Sequence, residues 1–132
     1  MRFILFFTLI VQAAAPPAAL DYDTYKATIE PLLLEKRPGH ARCYVCHARG
    51  TPFRLQELSP GTKTWTDEQS QKNFEAVKRF VLPGVPLKSR LLTMPLAAEA
   101  GGVAFHPGGK HWQSQDDPEW RMLAAWVNGQ KP

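Results

Sequence analysis

The sequence predicts an all-α fold: a small helical domain whose long loops wrap around something the chain does not itself supply. Three observations carry this. Apolar residues recur at helical spacing in three segments, no segment alternates apolar and polar residues as a half-buried strand would, and 12 prolines and 9 glycines break up the intervening stretches. Three modest helices and so many turn residues would bury only a thin core by themselves in a chain of 132 residues.

The chain starts with Arg2, an apolar run from Phe3 to Val11, then Gln12 and three alanines, the plan of a secretory signal peptide. Residues 1–19 are expected to be removed, with cleavage between about 15 and 19. Pro16 disfavours a cut directly after Ala15, and Ala18 or Ala19 is an equal choice. Residues 20–132 then form one domain, outside the cytoplasm and, in a bacterium, in the periplasm. The apolar run is too short for a span of about 20 residues, so no membrane span is expected after cleavage. Losing Arg2 takes the formal charge from +4 to about +3, too small an excess to imply nucleic acid.

In the first predicted helix, over residues 21–36, Asp21 or Asp23 caps the start, Tyr25, Ile29, Leu32 and Leu33 share a stripe, and Pro31 kinks or divides the element. Arg37, Pro38 and Gly39 open a loop that leads to Cys43. Residues 50–64 read as loop. Thr66 and Gln69 form a capping box, and Phe74, Val77, Phe80 and Val81 extend a second helix of about four turns to Pro83-Gly84. Ser89 opens a short turn with Leu91 and Leu92, and residues 95–109 form a Gly- and Pro-rich loop. The last helix has Asp117 as cap, Pro118 in its first position, Trp120, Leu123, Ala124 and Val127 on one face, and Gly129 beyond its end.

The only two cysteines stand in Cys43-Tyr44-Val45-Cys46-His47, the C-x-x-C-H pattern of c-type haem attachment. Two thiols at this spacing can add across the two vinyl groups of a porphyrin, and the adjacent histidine is carried beneath the iron as its proximal ligand. One covalent haem c, held by Cys43 and Cys46 with His47 on the iron, is the expected cofactor. Three other readings are weaker. A disulfide is the default for a lone cysteine pair in an exported chain. Zinc would need two further ligands from His40, His47, His106 or His111, and no second pair at finger spacing exists. A thioredoxin-like redox pair needs a preceding strand and an α/β pattern, neither of which is visible.

The chain resembles a class I-type cytochrome c domain, closest to the small bacterial and Planctomycete-type domains. The resemblance covers nearly the whole mature chain. It rests on Ile29-Glu30-Pro31-Leu32-Leu33 before the motif, on Cys43 to His47, on Pro83-Gly84-Val85-Pro86 with Ser89-Arg90-Leu91-Leu92, and on Leu123, Trp126 and Gly129. It implies a cytochrome c-like fold with loops around one covalently bound haem, and a sixth ligand from the loop before the last helix, where such domains usually place a methionine followed by proline and glycines. Here that place holds Phe105-His106-Pro107-Gly108-Gly109-Lys110, which makes His106 the first choice. Met94-Pro95 is the competitor, 47 residues beyond His47. An open site or His111 is the remaining option. A methionine ligand would give a higher potential than a second histidine.

Among four tryptophans, Trp120 and Trp126 read as core, and Trp112 as a pocket residue whose indole N–H could reach a haem propionate. Arg42, Arg54, Lys88, Arg90 and Lys110 lie in loops from which they could meet the propionates, although solvated surface charge is the plainer reading of each. The expected function is one-electron transfer between redox protein partners, without catalysis. A haem-based gas sensor, a small-molecule redox enzyme or an accessory haem subunit is the alternative, and the first two need an open or displaceable distal position.

Overall fold

The computed structural model describes residues 18–132, so the expected signal segment lies almost wholly outside the described residues. Within them the chain is helix-rich without a strand, and the one β-bridge pairs Leu96 with Trp112.

The first helix runs over residues 22–34. The side chain of Asp21 caps it, accepting from the Thr24 N–H at 2.6 Å. Pro31 does not end the helix, which runs on to Leu34. The helix widens instead into a π-turn over Tyr25–Ile29, between α-helical Tyr22–Thr24 and Glu30–Leu34. Proline has no N–H to return to the carbonyl four residues earlier, and its ring presses on that carbonyl; one wider turn relieves both conflicts. The helix still presents Tyr25, Ile29 and Leu33 to the core, whereas Leu32 is only half-buried.

The loop delivers the chain to a helical turn, Cys43–His47, entered from extended Arg42 and closed by the Ala48 N–H donating to the Tyr44 carbonyl at 2.7 Å. It has no side-chain cap, so no start signal marks it in the sequence. The following segment is loop as expected, pinned at Leu55, whose N–H donates to the His47 carbonyl at 2.8 Å, and at Gln56, whose N–H donates to Asn73 at 2.7 Å.

Both halves of the Thr66–Gln69 capping box are made, and the long helix they open spans Asp67–Lys78. It stops before Phe80 and Val81, which were expected to extend it. Its last turns tighten, with the Phe80 N–H donating to Val77 three residues back at 2.9 Å; Val81 reaches the core from irregular backbone. The next turn is held from inside by the fully buried Ser89, whose hydroxyl accepts from the Leu82 N–H at 2.9 Å and donates to the Val85 carbonyl at 3.0 Å. A short helix, Arg90–Thr93, follows, and the last helix is Pro118–Val127 with the Asp117 carboxylate accepting from the Glu119 N–H. Gly84 ties the turn to this helix by donating to the Val127 carbonyl at 2.7 Å.

The core lies where the first, long and last helices meet, around Tyr25, Phe74 and Trp126, whose ring centres are 5.2 to 6.4 Å apart. Glu30 is buried at its edge and accepts from the Ser70 hydroxyl at 2.9 Å. Burial holds its carboxyl above the usual carboxylate range, only partly offset by that bond and by Lys26. The folded chain therefore takes up this proton at higher pH than the unfolded chain, so this group adds stability as pH falls and costs stability when ionised at neutral pH. Glu30→Gln should unfold at higher urea concentration than the parent at pH 7, and the gap should shrink as pH falls toward the ordinary carboxylate value of 4.5; urea melts across that range would show it.

Candidate functional site

On the other side of the last helix the chain encloses a cavity of about 370 Å³, within the usual size of a small-molecule or cofactor site. Leu33, Phe53, Phe80, Leu91, Trp112 and Leu123 form much of its apolar wall. Cys43, Cys46 and His47 line it from the motif turn, and Met94, His106 and His111 from the loops before the last helix.

The helical turn sets the two cysteines and His47 along one side of the cavity. His47 Nδ1 lies 2.9 Å from the Phe53 carbonyl and 3.1 Å from the Thr51 hydroxyl. Across the cavity, His106 Nδ1 lies 2.7 Å from the Gly109 carbonyl. A carbonyl only accepts, so each Nδ1 carries the proton and each Nε2 is left with its lone pair. A metal-bound histidine is usually fixed by such a bond from its other ring nitrogen. The two ring centres are 6.3 Å apart and the planes differ by 13°. Two imidazoles on opposite sides of one metal, each bonded at about 2 Å, would have ring centres about 6 Å apart. Burial, first, and the neighbouring His106 hold the His47 ring below its ordinary value, against the pull of the Phe53 carbonyl, so it stays neutral and able to ligate.

Both thiols are free, with Cys43 half-buried and Cys46 exposed. Burial pushes the Cys43 thiol up, with Arg37 opposing. Among the described residues no group of three or more His, Cys, Asp or Glu side chains is gathered closely enough to hold a metal ion by itself. A planar macrocycle supplies four ligands of its own and asks the chain for two. The facing histidines, the cysteine pair on one wall and the apolar lining fit that demand.

Met94 also lines the cavity, with its sulfur 4.0 Å from an Arg90 nitrogen. Trp112 forms part of the wall, but its indole N–H donates to Glu119 at 2.9 Å and is not free to meet a propionate. Glu119 also holds the buried Arg37, which donates to it at 2.7 Å. Of the basic residues considered, Arg42 and Arg90 line the cavity; Lys110 donates instead to the carbonyls of Met94 and Val103, and Arg54 and Lys88 stand elsewhere. Sequence reasoning missed Thr51 and Phe53, which orient His47; nothing in a turn-rich stretch announces such a role.

The loop bearing His106 closes at its base, where Ala97 donates to the Trp112 carbonyl at 2.8 Å and Trp112 to the Pro95 carbonyl at 3.1 Å. Gly102 is required there, since a Cβ would lie 1.9 Å from the Leu96 carbonyl oxygen. Gly109 has a φ of +82°, and a Cβ on it would meet His40 at 3.3 Å.

Compared with protein-family models, with curated proteins and with solved structures, the chain finds no match. Gly109→Ala should cost about 1 to 2 kcal/mol, the penalty of a left-handed backbone with a Cβ, read as a lower urea midpoint with an unchanged m-value.

Proposed function

We propose that this chain is an exported monohaem c-type cytochrome that carries single electrons between redox proteins of the periplasm, with His47 and His106 as the two iron ligands. The observation that carries the proposal is the pair itself: two imidazoles with engaged Nδ1 atoms, nearly parallel and 6.3 Å apart across a cavity edged by Cys43 and Cys46. A haem bound there would supply a reversible one-electron iron couple.

The chain's own part is to hold that group without offering it chemistry. Cys43 and Cys46 anchor one edge through thioether bonds. The carbonyls of Phe53 and Gly109 keep the two rings in the tautomer that presents Nε2. The apolar walls exclude water and keep the dielectric low around the centre. With His47 and His106 both holding the iron, no position would be left vacant, which favours a carrier over the gas-binding or peroxide-reducing reading, and two histidines would suit a lower potential than histidine with methionine. Among the described residues no helix is long and apolar enough to cross a membrane; export rests on the first residues of the sequence.

Protein produced with a haem-attachment system should keep its haem after denaturing extraction and show low-spin bands in both oxidation states, without a sulfur-to-iron charge-transfer band. His106→Ala should turn the spectrum high-spin, whereas Met94→Leu should leave it unchanged. A charge-transfer band abolished by Met94→Leu would move the ligand to Met94, a high-spin parent would favour the sensor or enzyme reading, and the absence of covalent haem would refute the proposal.

A further inference from the structure

Three histidines line the cavity and only two are used above. His111 differs from the others in its hydrogen bonding. Its Nδ1 is completely covered by protein and has no partner among the described residues, so the nitrogen able to meet an occupant of the cavity is Nε2. A covered N–H with no acceptor is rare and costs roughly 1–3 kcal/mol, while an acceptor left short is tolerated more often. The proton of the neutral ring therefore belongs on Nε2. His111 lines the cavity, and with Nδ1 covered its Nε2 N–H is the group left to donate there, whereas His47 and His106 keep their lone pairs on Nε2.

The ring is also held in place. His40 packs on it with ring centres 4.5 Å apart. His40 in turn lies against Gly109, where even a methyl group would crowd it. Trp112, the next residue, is fixed by its bridge to Leu96 and by Glu119. A histidine N–H in the wall of a mainly apolar cavity is not accounted for by apolar contact or by the two ligand roles above, and it suits an acceptor oxygen of the occupant.

Resting on the haem reading, we propose that His111 donates a hydrogen bond through Nε2 to a carboxylate of the bound cofactor, and that His40 is the positioning residue that keeps the ring turned toward it. The role first expected of Trp112 thus passes to its neighbour. A neutral donor compensates part of the carboxylate's charge, which would otherwise favour the oxidised, more positive iron.

The test uses the holoprotein and its His111→Leu, His111→Gln and His40→Ala variants, each checked for covalent haem and low-spin bands. Midpoint potentials come from spectroelectrochemical titration and the propionate bending band from resonance Raman. His111→Leu should keep the haem and its spin state, lower the potential and shift the propionate band. His111→Gln, whose amide can still donate, should restore part of both, and His40→Ala should move both in the direction of His111→Leu by less. Unchanged potential and propionate band in His111→Leu would overturn the proposal and leave Arg42 or Arg90 as the carboxylate's partner. A change to high spin in that variant would also overturn it, by making His111 an iron ligand. Absence of covalent haem from the parent would remove the haem reading and this inference together, so the two failures are told apart by the parent's spectrum.

Discussion

A neutral imidazole has two nitrogens and one proton, and what the cavity can bind depends on which nitrogen has it. At His47 and His106 backbone carbonyls hold the proton on Nδ1 and leave the lone pair on Nε2. At His111 no acceptor reaches the covered Nδ1. Phe53 and Gly109 thus act through their main chains, and the turns that bring these carbonyls into reach are as much part of the site as the rings. This is why the Thr51-Pro52-Phe53 turn follows the motif so closely, and why the distal loop folds back on itself within three residues of His106.

The wall behind the histidines depends on a buried ion pair. Arg37, just beyond the first helix, donates to Glu119 in the last helix and to the carbonyl of Leu32 at 3.1 Å, and Glu119 also accepts from Trp112. Removing one member would leave a charge buried without its partner, a larger loss than the pair's net worth. The pair links the chain before the motif, the cavity wall and the start of the last helix. The aromatic core around Tyr25, Phe74 and Trp126 has polar contacts of its own, the Ser70–Glu30 bond and the Trp126 indole N–H donating to the Asp21 carbonyl at 2.9 Å.

The helices were legible in the sequence wherever their ends carry chemistry. Asp117-Pro118 and the Thr66–Gln69 box mark two starts that the structure shares. The motif turn has no side-chain cap to announce it as helical, and the long helix was overextended because Phe80 and Val81 continue the helical spacing of apolar residues without being helical. Pro31 was legible as a perturbation, but not as a π-turn, since the choice among kink, break and widened turn depends on what packs against the helix. At the site, Cys43, Cys46, His47 and His106 were all named from sequence and all line one cavity. The roles of Phe53, Thr51 and His40 were not legible, because they reside in backbone geometry and ring packing across loops. Trp112 lines the cavity and its indole N–H meets Glu119, a contact that depends on a turn whose course the sequence does not reveal.

The separation of the two facing histidines along the chain has a topological consequence. Joined through one metal centre, as proposed, they close a loop of about 60 residues, a cross-link that the chain-entropy account of disulfides would value at about 4 kcal/mol. The whole of the long helix and the short helix Arg90–Thr93 fall inside that loop. The cofactor would then confine the unfolded chain as well as fill the folded one.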